Sequence, residues 1–174
     1  MDLRAKIREI PDFPKPGISF KDVTTLFKDS EALRYTIDEL ARQFEDLEPD
    51  MIIGVESRGF ILGAPLAYKM GTGFVLVRKP GKLPAECERI EYELEYGSDA
   101  LEIHCDSLEP GQRVLIIDDL LATGGTVGAA TQLVKKLGAK IVGYGFIIEL
   151  TPLGGRSKLD KEARVVTLVQ YDED

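Results

Sequence analysis

Between residues 114 and 126 the chain sets four consecutive aliphatics, Val114, Leu115, Ile116 and Ile117, before a pair of acids, Asp118 and Asp119, and the loop Ala122-Thr123-Gly124-Gly125-Thr126. A strand with one wet face alternates apolar with polar residues. This run does not, so it predicts a central parallel strand covered on both faces and ending near Ile117. Open α/β sheets bind ligands just beyond the carboxyl ends of their strands, which makes Asp118 and Asp119 candidates for holding ribose hydroxyls. In the loop, glycines permit close backbone approach and threonines add donors. The spacing of Val127, Ala130, Leu133, Val134 and Leu137, stopped by Gly138, then predicts a helix that starts at the loop. Its free amides and dipole favour an anion, the dipole contributing about 0.3 to 1 kcal/mol. Acids for a sugar beside amides for a phosphate suggest a sugar phosphate. The alternative is an ordinary strand-to-helix turn with one aspartate as helix cap. Neither the nucleotide-triphosphate loop nor the dinucleotide glycine fingerprint is present.

A chain of 174 residues fits one domain, large enough to bury roughly 70% of its unfolded surface. The formal charge of -8 argues against nucleic acid or an anionic membrane as partner, so a polyanionic substrate needs local basic residues. The N-terminus lacks an apolar core of signal-peptide length and no run approaches the ~20 apolar residues of a membrane span, so a cytoplasmic location is expected. Cys87, Cys105 and the single histidine, His104, lack metal-ligand spacing, and both cysteines are expected to be reduced thiols.

In chain order, Leu3, Ile7 and Ile10 predict a short helix ending before Pro11. Residues 11–22 hold three prolines, Phe13 and Phe20, which predicts an ordered loop outside the central sheet. Its aromatics either tack it to the core or stack on a flat ligand. Asp29 or Ser30 caps a helix to about Leu47. A buried strand over 51–55 then delivers Glu56-Ser57-Arg58-Gly59 to a second strand end, before a helix over 60–70 that is bent or frayed at Pro65. Arg58 is either a surface ion pair or C-cap, or a planar fork for phosphate oxygens. A third buried strand over 74–77 leads to Arg78-Lys79-Pro80-Gly81-Lys82, either a solvated turn or an anion site. The period of two over 90–96, the turn at Gly97-Ser98-Asp99 and the return over 101–103 predict a hairpin; a two-residue turn sets Cys105 opposite Ile90. Further strands are expected over 141–150, with Gly143 and Gly145 allowing close packing, and over 165–169. Thr151-Pro152-Leu153-Gly154-Gly155-Arg156 leaves another strand end, and 171–174 is expected to be a frayed acidic tail. The result is an α/β fold with an open, mainly parallel sheet of about five strands.

The 114–126 stretch resembles the phosphoribosyl-pyrophosphate (PRPP) signature of type I phosphoribosyltransferases. Residues 11–20 with Asp22, the 56–60 segment, Val77-Arg78-Lys79 with Gly81-Lys82-Leu83-Pro84, Leu94-Glu95-Tyr96-Gly97 and Glu149-Leu150-Thr151 resemble, in order, the adenine phosphoribosyltransferase family. The resemblance departs from that pattern at Lys21 and Pro80, and covers nearly the whole chain as one domain, with residues 1–28 as an N-terminal hood and base-binding loop and residues 87–105 as a hairpin lid. It implies transfer of the 5-phosphoribosyl group from PRPP to adenine, giving AMP and pyrophosphate, with Mg2+ held mainly by PRPP and water and no protein metal site. Asp118 and Asp119 would hold the ribose, Ala122, Thr123, Gly124, Gly125 and Thr126 the 5-phosphate, and Ser57, Arg58, Arg78, Lys79 and Lys82 the pyrophosphate end. Ile18, Phe20, Lys21 and Leu150 would form the adenine site. Glu95, beside Tyr96 at the lid tip, would assist proton movement. An arginine like Arg78 reaching a neighbouring site implies a homodimer with shared active sites. A 6-oxopurine enzyme and a non-catalytic PRPP-binding regulator are the other classes.

Overall fold

The computed structural model describes residues 1–94 and 97–172. A 3-10 turn over Arg4–Lys6 precedes β1 (Arg8–Ile10), which pairs antiparallel with β2 (Phe20–Asp22) in a small sheet of its own. Two segments expected as helix and loop are thus strands. Their pairing crosses the proline-rich loop, and Arg8 fastens it by donating from Nε and Nη2 to Asp22 Oδ2 at 3.1 and 2.6 Å. After the single turn α1 (Thr24–Phe27), α2 (Ser30–Phe44) begins where Asp29 accepts hydrogen bonds from the Glu31 and Ala32 amides, both at 3.1 Å. A 3-10 turn continues it to Leu47.

The central sheet is built from β3 (Met51–Val55), followed by α3 (Arg58–Met70), and β4 (Gly73–Val77). α3 runs through Pro65 as one helix. The hairpin β5 (Cys87–Glu93) and β6 (Ser98–His104) comes next, before β7 (Arg113–Leu121), α4 (Gly125–Lys136), β8 (Lys140–Leu150) and β9 (Arg164–Tyr171). All five strands, in the order β4-β3-β7-β8-β9, pair in parallel.

On β7, Leu115 and Ile117 enter the core shared with α2 and α3, while Val114 and Ile116 enter the one shared with α4 and the hairpin. All four are fully buried, each stabilising the fold by roughly 1.5 to 3 kcal/mol, and this double coverage is why the sequence shows no alternation. Gly143 and Gly145 let Phe44 press onto β8: a Cβ on either would fall 2.9 or 3.0 Å from its ring.

Three further expectations need correction. β4 is an edge strand and half exposed, with Leu76 38% accessible, because only β3 lies beside it. The hairpin sets Ile90 opposite Leu101 and Cys87 opposite His104. Leu94 N–H donates to Gly97 O at 2.9 Å and β6 already begins at Ser98, so Ser98 and Asp99 belong to the strand rather than to a turn. Tyr171 is no frayed tail: it pairs with Leu150 and is buried between Arg4 and Lys21, whose charged groups lie 4.2 and 4.5 Å from its ring centre. Among the described residues no helix is long and apolar enough to cross a membrane, and both cysteines are free.

Candidate active site

The strands differ in length where it matters. β3 last pairs with β7 at Gly54 and Ile117, whereas β7 runs on to Leu121 against β8 alone. The expected strand end at Ile117 is therefore corrected: Asp118 and Asp119 lie on the strand itself, beside the space that β3 has vacated. A cavity of about 260 Å³ opens there, lined by residues 56–58, Lys79 and residues 118–127. A larger recess of about 600 Å³, lined in part by Tyr35, Glu39, Arg156 and residues 165–170 along β9, contains neither strand-end acid.

Two acids with different surroundings face the smaller cavity. Asp119 is buried and accepts from Arg58 Nε at 2.6 Å, while its own N–H donates to Asp118 Oδ1 at 2.9 Å. Burial, then the neighbouring Asp119 charge, push the Asp118 carboxyl well above the ordinary aspartate range. Gly59 brings the first turn of α3 against this pair, since a Cβ there would fall 2.8 Å from Ile117 O and 3.2 Å from Asp118 Oδ1.

Arg58 thus combines both alternatives open in the sequence, an ion pair and a guanidinium in the site. Its Nε is taken by Asp119, but 47% of the side chain stays accessible. The basic turn is likewise partly solvated, with Gly81 and Lys82 exposed, yet its cations are engaged. Lys82 Nζ donates to Glu56 Oε2 at 2.6 Å, the Lys79 amide donates to Glu56 Oε1, and Arg78 Nε lies 3.5 Å from Oε1 without a hydrogen-bond partner. Burial works against the Glu56 charge, but Lys82 and the Lys79 amide outweigh it and hold the carboxyl below its usual range. The peptide joining Glu56 to Ser57 is cis.

The loop over 122–126 rests on a scaffold behind it. Gly124, at φ +80, begins α4, and the 3-10 turn Gly155–Lys158 packs so closely that a Cβ on Gly155 would fall 2.3 Å from Ala122 O. In front, the Tyr92 hydroxyl on β5 lies 3.5 Å from Thr126 Oγ1, 3.4 Å from Lys79 Nζ and 3.3 Å from Asp99 Oδ2. Glu56, Tyr92 and Asp99 were missed as site residues. Glu56 follows a buried strand, and Tyr92 sits at an inward position of the period-two run, so both carried a signal.

The expected adenine residues lie outside this cavity's lining. Phe20 meets Phe13 edge-on, with ring centres 5.2 Å apart, and Ile18 is exposed. Lys21 does not present its ammonium to a ligand: Nζ donates to Glu9 Oε2 and Ser19 Oγ, both at 2.9 Å, inside the hood. Leu150 ends β8 beside Tyr171, the ring that Lys21 covers, so the hood and this strand end meet there. Glu95 and Tyr96 lie outside the described residues.

The family model for the phosphoribosyl transferase domain matches residues 24–173. The chain is 59% identical over 172 residues to the adenine phosphoribosyltransferase of a Synechococcus strain, covering 99% of this chain and 100% of that protein. It belongs to the adenine phosphoribosyltransferase family. The family member from Trichormus variabilis is 60% identical over 173 residues, covering 98% of this chain and 100% of that protein. Among solved structures, the Thermoanaerobacter pseudethanolicus family member superposes with a TM-score of 0.93 at 54% identity, covering 98% of both chains. The Saccharomyces cerevisiae member, complexed with D-2,5-dideoxy-2,5-imino-altritol 1,6-bisphosphate and adenine, gives 0.92 at 43% identity, covering 97% of both. The five-stranded parallel sheet with flanking helices is the type I phosphoribosyltransferase fold, and the chain is a transferase of purine salvage.

Proposed function

We propose that the cavity beside β7 is where this chain transfers the 5-phosphoribosyl group of PRPP to adenine, giving AMP and pyrophosphate. The observation that carries the assignment is the Asp118–Asp119 pair beside the glycine loop, in a chain of this family. In the reaction the bond from the ribose carbon to pyrophosphate breaks with its electron pair, a purine nitrogen bonds to that carbon, and the nitrogen's proton leaves. Asp118 and Asp119 hold the ribose hydroxyls and supply negative potential as the carbon becomes cation-like. Residues 122–126 hold the 5-phosphate; Ser57, Arg58, Arg78, Lys79 and Lys82 hold pyrophosphate. Phe20 and Leu150 flank adenine, with Ile18 and the Lys21 backbone beside it. Residues 1–28 act as hood and residues 87–105 as lid against water. Turnover with adenine, hypoxanthine and guanine tests the reading: adenine is expected to be strongly preferred, and preference for either oxopurine would overturn it.

Mg2+ favours oxygen ligands and combines readily with one or two carboxylates and substrate phosphates. Among the described residues no group of three or more His, Cys, Asp or Glu is gathered as a cage, and Asp119 is committed to Arg58. The carboxylate and hydroxyl oxygens beside the loop fit Mg2+ arriving with PRPP, where it would neutralise the diphosphate. Two free thiols suit a reducing compartment such as the cytoplasm.

Glu95 is assigned to proton movement on the purine. A general acid or base contributes typically ~100 to 10,000-fold in rate. Glu95→Gln is expected to lower single-turnover rate at least about tenfold with PRPP affinity nearly unchanged. Glu91→Gln and Glu93→Gln, on exposed positions of β5, are expected to behave like wild type. Equal rates for all three would return Glu95 to a solvated edge.

The homodimer with shared sites rests on the family resemblance, and Ile61 and Tyr68 on α3 with Leu76 on β4, exposed at 45%, 91% and 38%, are residues that such an interface would cover. Arg78 would reach the partner's site. Mixing inactive Arg78→Ala and Asp118→Asn subunits should then restore activity in hybrid sites; verified exchange without recovery counts against sharing.

A further inference from the structure

The hairpin carries an acid that the reaction as described leaves unused. Asp99 on β6 stands opposite Tyr92 on β5. Its Oδ2 ion-pairs with Lys79 Nζ and accepts from the Tyr92 hydroxyl, while Oδ1 accepts from the Ala100 N–H at 2.8 Å. Asp99 is therefore held in place by its own strand and by the opposite one. Lys79 also lines the cavity with the strand-end acids. Its side chain and that of Asp99 are 36% and 30% accessible, so an arriving anion can reach the ammonium without unfolding the pair.

One cation thus faces two claimants, a fixed carboxylate and the anion in the cavity. The geometry points to Asp99 as a built-in counter-ion that competes with pyrophosphate for Lys79. A diphosphate carries more negative charge than one carboxylate, so it draws Lys79 away on binding. As pyrophosphate leaves, Asp99 recovers the ammonium and lowers the cost of release. Asp99 is a positioning residue in this scheme: it acts on product affinity through Lys79 and touches no reacting atom. The inference rests on the assignment of the basic turn to the pyrophosphate end of PRPP.

Calorimetric binding of pyrophosphate with Mg2+ tests it. Asp99→Asn keeps an oxygen for the Ala100 N–H but removes the charge, and is expected to bind pyrophosphate about three- to fivefold more tightly, the scale of a partly exposed ion pair. Asp99→Glu should return affinity to the wild-type value. Lys79→Met should bind more weakly, and adding Asp99→Asn to it should change nothing further, because the shared cation is gone. A merely structural Asp99 would weaken binding when replaced. Unchanged or weaker binding by Asp99→Asn, with Lys79→Met weakened, overturns the counter-ion and leaves the basic-turn assignment standing. Wild-type binding by Lys79→Met overturns both. Asp99→Ser serves as a second neutral variant, read by the same outcomes, if the asparagine form does not fold.

Discussion

Replacing both acids on β7, Asp118→Asn with Asp119→Asn, is expected to lower turnover of adenine with PRPP by at least about 1000-fold in a protein that still folds. Preorganised groups aimed at charge developing in the transition state are each worth roughly 100 to 1000-fold, and this pair acts on the same cation-like carbon. The fold should survive because the two sites lose little. Burial disfavours the Asp118 charge in the ligand-free fold, so a neutral amide costs that fold little, whereas a cation-like ribose carbon draws the carboxylate form. Asp119 gives up the Arg58 ion pair, yet that arginine is half accessible and can turn to water. The cost is about 1 to 3 kcal/mol, or a melting temperature lower by roughly 2 to 12 °C. Single-turnover rates measured beside thermal melts decide the matter. A folded double mutant that keeps a tenth of the wild-type rate would remove both acids from the chemistry.

Gly124→Ala is expected to damage both stability and PRPP binding, whereas Gly125→Ala should leave the ligand-free protein's stability nearly unchanged. Gly124 has φ +80, where a side chain costs about 1 to 2 kcal/mol, and its Cβ would fall 2.5 Å from Gly155 O and 3.0 Å from the Lys158 stem. Backbone oxygen cannot move aside as a flexible side chain can. Either the loop or the 155–158 turn must shift, and with the loop go the amides meant for the 5-phosphate. A total of about 2 to 4 kcal/mol corresponds to a rise of roughly 30- to 1000-fold in PRPP dissociation constant if the strain falls on the bound geometry. At Gly125 the nearest atom to an added Cβ is 3.7 Å away. Melting curves and PRPP titrations of the two variants give the comparison, and equal melting temperatures would show that the loop does not depend on its contact with Gly155.

The parts of the fold that were legible are those whose cause is local. The aliphatic runs of β3 and β7, the Asp29 cap, and the helical spacing of α4 with Gly138 each announce their element within a few residues. What escaped is set by distant partners. β1 and β2 are strands because each has the other, across a loop of prolines. Tyr171 is buried because Arg4 and Lys21 arrive from the far end of the chain. The site divides in the same way. Asp118, Asp119 and the glycine loop are contiguous and were read directly. Glu56 was overlooked as a site member because Lys82, the cation it binds, lies 26 residues on, and Asp99 because Lys79 lies on the turn before the hairpin. The ion pair of Lys21 was illegible for the same reason, its partner Glu9 lying on the opposite strand.

The unequal lengths of β3 and β7 give the recess an origin that no side chain supplies. From Asp118 onward the main chain of β7 has a hydrogen-bonded neighbour in β8 and none in β3, so a stretch of peptide edge borders the cavity, its Asp119 N–H taken by Asp118 Oδ1. Such an edge is a fixed frame of donors and acceptors, and its depth is counted in strand residues. Side chains around it can drift and retune preference for one base or one anion while the frame persists. An insertion that lengthened β3 by two residues would close it, even with every acid and glycine in place.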